Sequence, residues 1–173
     1  MEFILDFTYD RSVVELYNES LQNTFTNEGR TSGRKWNLDQ VEQRLKEASK
    51  TRSKNGFDLL GILKIKVDGK LAAICFPREL IGSEYGKYEL NPINTYYRLS
   101  GIYVSDEFRG QGIALKVLNW FIEERKYVLW TADTNNRSSL RVAEKAGLIK
   151  TAEIPVYNNN DEHIYDIISY INK

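Results

Sequence analysis

Six consecutive residues in the second half of the chain, Arg109 to Ala114, combine two glycines with a fixed positive charge. Gly110 and Gly112 let the backbone approach a ligand without a side chain in the way, and Arg109 adds a forked cationic donor. We predict that a strand ends at Val104 and that a helix begins near Gly112. Because a helix N-terminus carries unpaired N–H groups and a partial positive charge, this arrangement is typical of a pyrophosphate cradle.

Other interpretations of Gly-rich segments have to be weighed beside this one. A Gly-rich turn between a strand and a helix is also found where no ligand binds. The turn is not a dinucleotide fingerprint, because the third glycine of G-x-G-x-x-G is absent. Gly82 to Tyr88 is not a Walker loop, because it is one residue short and Tyr88 replaces the metal-binding hydroxyl residue. The turn therefore indicates either a pyrophosphate cradle or a plain turn.

The elements around the turn predict a mixed α/β (α+β) fold with helices packed on a sheet. Asp68-Gly69 is a strong signal for a hairpin turn between two apolar runs. Gly147 is the usual stop after a helix. The predicted strands are residues 2–8, Leu59–Val67, Lys70–Pro77, Tyr96–Val104, Tyr127–Thr131, Leu148–Val156 and His163–Ile171, and the predicted helices begin at Ser12, after Asn37, at Ile113 and at Asn136.

Composition is that of an ordinary globular protein. The 173 residues are 42% hydrophobic and 28% charged, which predicts a single domain over residues 1–173. Lys plus Arg and Asp plus Glu are equal at 24 each, so the net charge indicates neither nucleic acid nor an anionic membrane as a partner. Cys75 is the one cysteine, so the chain has no internal disulfide and no cysteine zinc cluster, and we expect no metal.

The N-terminal residues Met1 to Asp6 contain neither a basic leader nor a long apolar run, so they do not read as a signal peptide. No segment approaches the roughly 20 apolar residues that a membrane-spanning helix needs. From these two observations we expect a cytoplasmic protein.

Two blocks of the sequence carry a resemblance to a known family. Leu99 to Ala114 resembles the central signature of the GNAT superfamily of N-acetyltransferases, whose motif is Arg or Gln, two residues, Gly, one residue, and Gly or Ala; Arg109, Gly112 and Ala114 match it. Asn136 to Leu148 is similar to the asparagine-x-x-serine helix of that family, which ends in Gly and an apolar residue. Two blocks in the expected order and spacing are more specific than either alone.

The resemblance implies a GNAT-like fold, with a mostly antiparallel central sheet that is splayed at the cofactor site and about four helices. It implies acetyl-CoA as the cofactor and transfer of an acetyl group to a primary amine by direct attack in a ternary complex. Asn136 is also well suited to be a helix N-cap, and both roles can hold at once. The residues that the resemblance assigns to the cofactor are Ile102, Tyr103, Val104, Arg109, Gly110, Gln111, Gly112, Ile113, Ala114, Leu115, Asn136 and Ser139.

The chain departs from the family where proton-transfer groups usually stand. Ala143 replaces a frequent tyrosine, and Arg98 and Thr131 replace frequent glutamates. Subsets of the family with this type of helix also lack the tyrosine, and they often acetylate protein N-termini or ribosomal proteins. We nominate Ser100, Asp133 and Tyr103 as substitutes; further hydroxyl or imidazole candidates are Tyr157, Tyr165 and His163, and a water relay is an equal alternative.

Two other classes of function remain open. A GNAT-like domain that binds acyl-CoA as a sensor or scaffold fits the absence of the usual acid and bases. A cysteine hydrolase built on Cys75 and His163 is the weakest alternative, because Cys75 lies in an apolar strand. The amine acceptor is not readable, although Phe25–Trp36 and Arg78–Tyr97 are the candidate binding regions. Dimers are common among relatives, so a homodimer is a candidate assembly.

Overall fold

The computed structural model describes residues 1–22, 37–40, 42–43, 46, 58–82, 86–157 and 163–172. The predicted acceptor region Phe25–Trp36 lies outside these residues. The chain divides into two compact units, and each is discontinuous in sequence. The first unit comprises Met1–Pro77 and Gly101–Ile113, and the second comprises Arg78–Ser100 and Ala114–Lys173.

The first unit pairs its strands in the order β1-β3-β4-β5, with the short β2 also on β4. β1 to β3 and β3 to β4 are antiparallel pairs. As predicted, β3 and β4 form a hairpin, in which Asp68 and Gly69 both have positive φ angles, of 51° and 78°. The bounds are β1 Glu2–Asp6, α1 Arg11–Gln22, β2 Asp58–Leu59, β3 Ile62–Val67, β4 Lys70–Ile81 and β5 Thr95–Val104.

Helix α1 is held to the first unit by its apolar face. Val13, Val14 and Leu16 are buried in one cluster with Ile62, Ile74 and Tyr103. The helix begins after Asp10, whose carboxylate accepts a hydrogen bond from the backbone N–H of Val13 at 3.1 Å, the geometry of an N-cap. Helical residues also occur at 38–40, 42–43 and 46, where the sequence predicts a second helix after Asn37.

Several predicted strand bounds were wrong: the first strand ends at Asp6, the run Leu59–Val67 is divided into β2 and β3, the strand predicted at Tyr127–Thr131 runs to Asp133, and the end of β4 differs most. Strand β4 does not end at Pro77 but continues to Ile81, into the segment that the sequence predicts to be irregular. Pro77 lacks an N–H group but still uses its carbonyl, which accepts a hydrogen bond from the N–H of Leu60 at 2.9 Å. Beyond it, Leu80 is buried and the N–H of Gly82 donates to the carbonyl of Asn94 at 2.9 Å. Burial and pairing thus extend the strand past the proline.

The second unit pairs its strands in the order β4-β5-β6-β8-β7. β5 and β6 are parallel, with Tyr97 opposite Val128 and Arg98 opposite Leu129, whereas β8 is antiparallel to both β6 and β7. The remaining elements are α2 Ile113–Glu124, β6 Val128–Asp133, α3 Arg137–Lys145, β7 Ile149–Tyr157 and β8 His163–Ile171, with short 3-10 turns at Gly86–Tyr88 and Asp106–Phe108.

The element order and the mixture of parallel and antiparallel pairs confirm the predicted mixed α/β fold. Helix α2 has the bounds expected from its apolar stripe, and Val117, Leu118 and Phe121 are fully buried. Among the helices that the structure describes, none is both long and apolar enough to cross a bilayer.

Candidate functional site

The Gly-rich turn is anchored at its beginning in the first unit. The N–H of Ser105 donates to the carbonyl of Ala72 on β4 at 2.9 Å. Phe108, at the end of the 3-10 turn, is only 8% exposed, and the N–H of Arg109 donates to the carbonyl of Asp106 at 3.3 Å. These contacts fix the backbone immediately before the glycines.

Gly110 and Gly112 both occupy the left-handed region, with φ angles of 76° and 72°. A Cβ atom built on either glycine would meet nothing within 4 Å, so this side of the turn is open. Within the described part of the chain, the backbone N–H groups of Gly110, Gln111 and Gly112 donate no hydrogen bond. Left-handed glycines ahead of a helix give N–H groups that can converge on an anion, so this backbone is suited to a phosphate group.

Helix α2 follows the glycines directly in the chain. Ile113 is buried, whereas Ala114 and Leu115 are half-buried. Within the described residues, no side chain accepts a hydrogen bond from the N–H groups at the start of this helix. The helix therefore begins without a side-chain cap, and its positive end is available to an anion.

Arg109 is placed differently from what the sequence suggests. Its guanidinium folds back on the strand that precedes the turn: Nε donates to the carbonyl of Val104 at 3.3 Å and Nη2 donates to the hydroxyl of Tyr103 at 3.0 Å. Nη2 also lies 2.9 Å from Oδ1 of Asp106. Nε and Nη2 of Arg109 are thus engaged inside the turn, and a direct contact with phosphate stays a prediction.

The end of β5 presents its residues alternately to two faces, as strands do. Ile102 and Val104 are half-buried, whereas Tyr103 is 8% exposed and packs in the cluster with α1. The hydroxyl of Tyr103 donates to Oε1 of Glu19 at 2.7 Å. Sequence reasoning missed Glu19, because it is 84 positions from Tyr103 and no local motif marks it.

In the second unit, Asn136 is the N-cap of α3, as its residue type predicts. Its Oδ1 accepts hydrogen bonds from the N–H of Ser139 at 3.0 Å and from the hydroxyl of Ser138 at 2.9 Å. Both bonds use Oδ1, so among the described residues the Nδ2 group of Asn136 has no partner. Ser139 is also engaged, since its Oγ accepts from Nε1 of Trp130 at 3.1 Å.

Asp133 is the last residue of β6 and is 8% exposed. Its Oδ1 accepts a hydrogen bond from the N–H of Asn135 at 2.8 Å, and its carbonyl accepts from the N–H of Asn136 at 2.9 Å. The carboxylate therefore stabilises the loop that leads into α3. A role in proton transfer stays a prediction for this residue.

At the three positions where the sequence lacks the usual proton-transfer groups, the side chains are either hydrogen-bonded to each other or buried. Nη2 of Arg98 donates to Oγ1 of Thr131 at 2.8 Å across the parallel pair of strands. Ala143 is fully buried on α3. None of these three side chains carries a group that exchanges protons near neutral pH.

The remaining candidate catalytic residues differ in what the structure describes of their side chains. The side chains of Ser100 and Tyr165 lie outside the described residues. His163 pairs with Asp166, with Nε2 3.0 Å from Oδ1, and its ring packs edge-on against Tyr157 at a centroid distance of 5.8 Å. Cys75 is fully buried on β4, and a buried thiol of this kind is usually an inert core residue. The structure thus gives the cysteine hydrolase no accessible nucleophile.

Comparison with known proteins identifies the family of this chain. The family model of the Acetyltransferase (GNAT) family matches residues 12–148. Because this match covers most of the chain, the protein belongs to the GNAT acetyltransferase family. A search of curated proteins finds no match.

Solved structures show the same fold. An N-acetyltransferase from Staphylococcus aureus Mu50 is 16% identical, with a TM-score of 0.64 over 100% of this chain and 99% of that one. A ribosomal-protein-alanine N-acetyltransferase from Brucella melitensis is 16% identical, with a TM-score of 0.63 over 99% of both chains. The protein yncA from Salmonella typhimurium, solved with its cofactor acetyl-CoA, is 18% identical, with a TM-score of 0.63 over 100% of this chain and 93% of that one.

Proposed function

We propose that this protein is an acetyl-CoA-dependent N-acetyltransferase that transfers an acetyl group to a primary amine. The observation that carries the proposal is the uncapped start of α2, where the N–H groups of Gly110, Gln111 and Gly112 make no hydrogen bond within the described residues. In a member of the GNAT family, this open turn fits the pyrophosphate of coenzyme A. The acetyl-CoA bound to the similarly folded yncA supports the same cofactor.

The resemblance to the family assigns the remaining parts of coenzyme A to particular residues of this chain. The backbone of Ile102 and Val104 would hold the pantetheine arm by hydrogen bonds like those of an added strand. Nδ2 of Asn136 would donate to an amide carbonyl of the same arm, because its Oδ1 is already used to cap α3. Ser139 supports this arrangement through its position at the start of α3. Its hydroxyl does not take part, because it already accepts a hydrogen bond from Trp130.

Bound acetyl-CoA supplies an activated acetyl group as a thioester. The nitrogen of the acceptor forms a bond to the acetyl carbon, the carbon–sulfur bond breaks, and the thiolate takes up a proton. Backbone N–H groups on β5 can stabilise the oxyanion, and holding both reactants in line supplies much of the acceleration. Since Arg98, Thr131 and Ala143 cannot accept the proton of the ammonium, we assign that step to Asp133 or to an ordered water.

Incubation with labelled acetyl-CoA and a panel of amines tests the proposal. The panel should include a peptide with a free N-terminus, a lysine peptide and small primary amines. We expect label transfer to at least one amine, with a rate that rises with pH as the acceptor loses its proton. Tight binding of coenzyme A without transfer to any amine at any pH would contradict the enzyme.

Asp133→Asn separates the two assignments of the proton step. Asparagine keeps an oxygen that can accept from the N–H of Asn135, so the loop before α3 should keep its structure. If Asp133 is the base, kcat falls about 100-fold or more while KM for acetyl-CoA changes little. An unchanged kcat excludes Asp133 as the base.

A second candidate function is favoured by one observation. Ala143 is fully buried, and Arg98 is bound to Thr131, so three positions where relatives place acids or bases are structural here. A protein that binds acyl-CoA as a sensor or scaffold needs the cradle but not these groups. It predicts coenzyme A binding with no turnover.

We also propose a location, partners and an assembly for this protein. We place the enzyme in the cytoplasm, with an amine acceptor as its partner and with neither nucleic acid nor membrane bound, in line with the balanced charge of the chain. A homodimer remains the candidate assembly, and sedimentation velocity would distinguish it from a monomer.

A further inference from the structure

The hydroxyl of Tyr103 lies between two opposite charges in the first unit. It donates to Oε1 of Glu19 at 2.7 Å and accepts from Nη2 of Arg109 at 3.0 Å. The guanidinium carbon of Arg109 also lies 5.3 Å from the centroid of the tyrosine ring. Hydrogen bonds to ionised groups are shorter and stronger than neutral ones, so this hydroxyl holds both side chains in place.

Arg109 passes this restraint to the turn. Besides Tyr103 it binds the carbonyl of Val104 and the carboxylate of Asp106, which stand on either side of Ser105. The guanidinium thus ties the end of β5 to the 3-10 turn. A continuous series of contacts therefore runs from Glu19 on α1, through Tyr103, to the residue immediately before the first glycine.

The turn needs such a brace because its next residues are intrinsically free. Gly110 and Gly112 have no side chains to restrict them, and glycine loses more conformational freedom on ordering than any other residue. A ligand that orders a free loop binds more weakly by the entropy of that ordering. A brace that holds the turn before the ligand arrives removes part of this loss.

On the basis of the proposed function, we propose that Glu19 and Tyr103 are positioning residues for the pyrophosphate turn and act on it through Arg109. The hydroxyl proton of Tyr103 points to Glu19, and one of its lone pairs receives Arg109. These two hydrogen bonds fit a residue that holds its neighbours in place better than one that donates its proton to a leaving thiolate. Tyr103 is then no general acid, and its effect falls on cofactor binding.

Tyr103→Phe is the direct test, because phenylalanine fills the same buried volume without the hydroxyl. We expect about a fivefold rise in the Kd for coenzyme A by calorimetry and in KM for acetyl-CoA, with kcat unchanged within about twofold. A fall in kcat with an unchanged KM would assign Tyr103 to the chemistry and overturn the proposal. An unchanged Kd would overturn it as well.

Glu19 is tested against a matched residue one turn earlier on the same helix. Glu15 is also exposed and pairs with Arg11 at 3.1 Å. We expect Glu19→Ala to weaken coenzyme A binding about two- to threefold and Glu15→Ala to leave it unchanged. Glu19→Gln keeps an oxygen that can accept the hydroxyl, so it should restore most of the loss. Equal effects at both positions would mean that Glu19 acts only through the general stability of the helix, which would contradict the proposal.

The wild-type protein separates this inference from the function on which it rests. If the wild-type chain fails to bind coenzyme A, the proposed function falls. If it binds and Tyr103→Phe binds equally well, only the positioning role falls. Thermal unfolding of each variant, expected to stay within about 2 °C of wild type, shows that the change in binding does not come from unfolding.

Discussion

The two helices next to the candidate site begin in opposite ways. Helix α3 begins at Asn136, whose side chain accepts from the N–H of Ser139 and so satisfies the helix start internally. Helix α2 follows Gly112, and within the described residues no side chain accepts from its first N–H groups. Both starts are N-termini with the same partial charge, but among the described residues a side chain caps α3 and none caps α2.

This difference gives a criterion for telling a helix start that is capped by the protein itself from one that can bind a ligand. A capped helix needs nothing further, whereas an uncapped one with left-handed glycines and open space beside them offers donors to a ligand. In this chain the cap of α3 uses Oδ1 of Asn136, and among the described residues Nδ2 has no partner.

Gly112→Asp should have the largest effect. Two like charges about 4 Å apart repel by about 4 kcal/mol at the effective dielectric near a protein surface, so we expect at least a ~100-fold loss of coenzyme A affinity. Gly69→Asp is the matched control. Gly69 also has a positive φ with open space around it, so its variant carries similar backbone strain of about 1 kcal/mol but should bind coenzyme A normally. Calorimetry on both variants makes the comparison.

Substitutions at Asn136 should separate capping from binding. Asn136→Ala removes the cap, with a cost of about 1 kcal/mol in the free energy of unfolding, and it also weakens coenzyme A binding about five- to tenfold. Asn136→Asp keeps an oxygen for the N–H of Ser139 but loses the donor, so stability should be retained while affinity falls. Denaturant unfolding and calorimetry measure the two quantities. If Asn136→Asp binds as wild type, Nδ2 does not contact the cofactor.

Arg109→Lys asks whether the cation contacts phosphate or braces the turn. A lysine cannot reproduce the forked contacts with Val104, Tyr103 and Asp106. We expect about a threefold loss of coenzyme A affinity, comparable to removing one hydrogen bond. Affinity equal to wild type would contradict the role of these forked contacts in holding the turn.

The smallest expected effect concerns acid. The hydrogen bond from the Ser12 hydroxyl and that from the Val13 N–H lower the pKa of Asp10 below its ordinary value of 3.8. A lowered folded pKa means that the contribution is complete above the unfolded pKa and is lost as the pH falls through the folded one. Asp10→Asn should therefore cost about 0.5 kcal/mol in the free energy of unfolding at pH 7, and this cost should shrink as the pH falls through the folded pKa of Asp10. A cost that does not change with pH would mean that charge is not involved.

Local signals in the sequence were enough for several parts of the fold. Asp68-Gly69 specified the β3–β4 hairpin, and the apolar stripe of Ile113–Glu124 gave helix α2 its bounds. Both depend on neighbouring residues alone. The end of β4 could not be predicted in this way, because Pro77 is a local stop signal that the burial of Leu80 overrides.

The site shows the same division. The glycines and Asn136 were recognisable because their function depends on backbone conformation and on helix capping. The engagement of Arg109 and the pairing of Tyr103 with Glu19 depend on how α1 packs against the end of β5, which no motif encodes. The sequence therefore indicated where a phosphate could bind but not what holds that turn in shape.

We propose that coenzyme A places its pyrophosphate on the uncapped start of α2, and amide spectra of ¹⁵N-labelled protein, recorded during titration with coenzyme A, test this placement. We expect the largest amide shifts, saturating with ligand, on Gly110, Gln111, Gly112 and Ile113, with Gly69 unmoved. Saturable binding that leaves these four amides in place would contradict it.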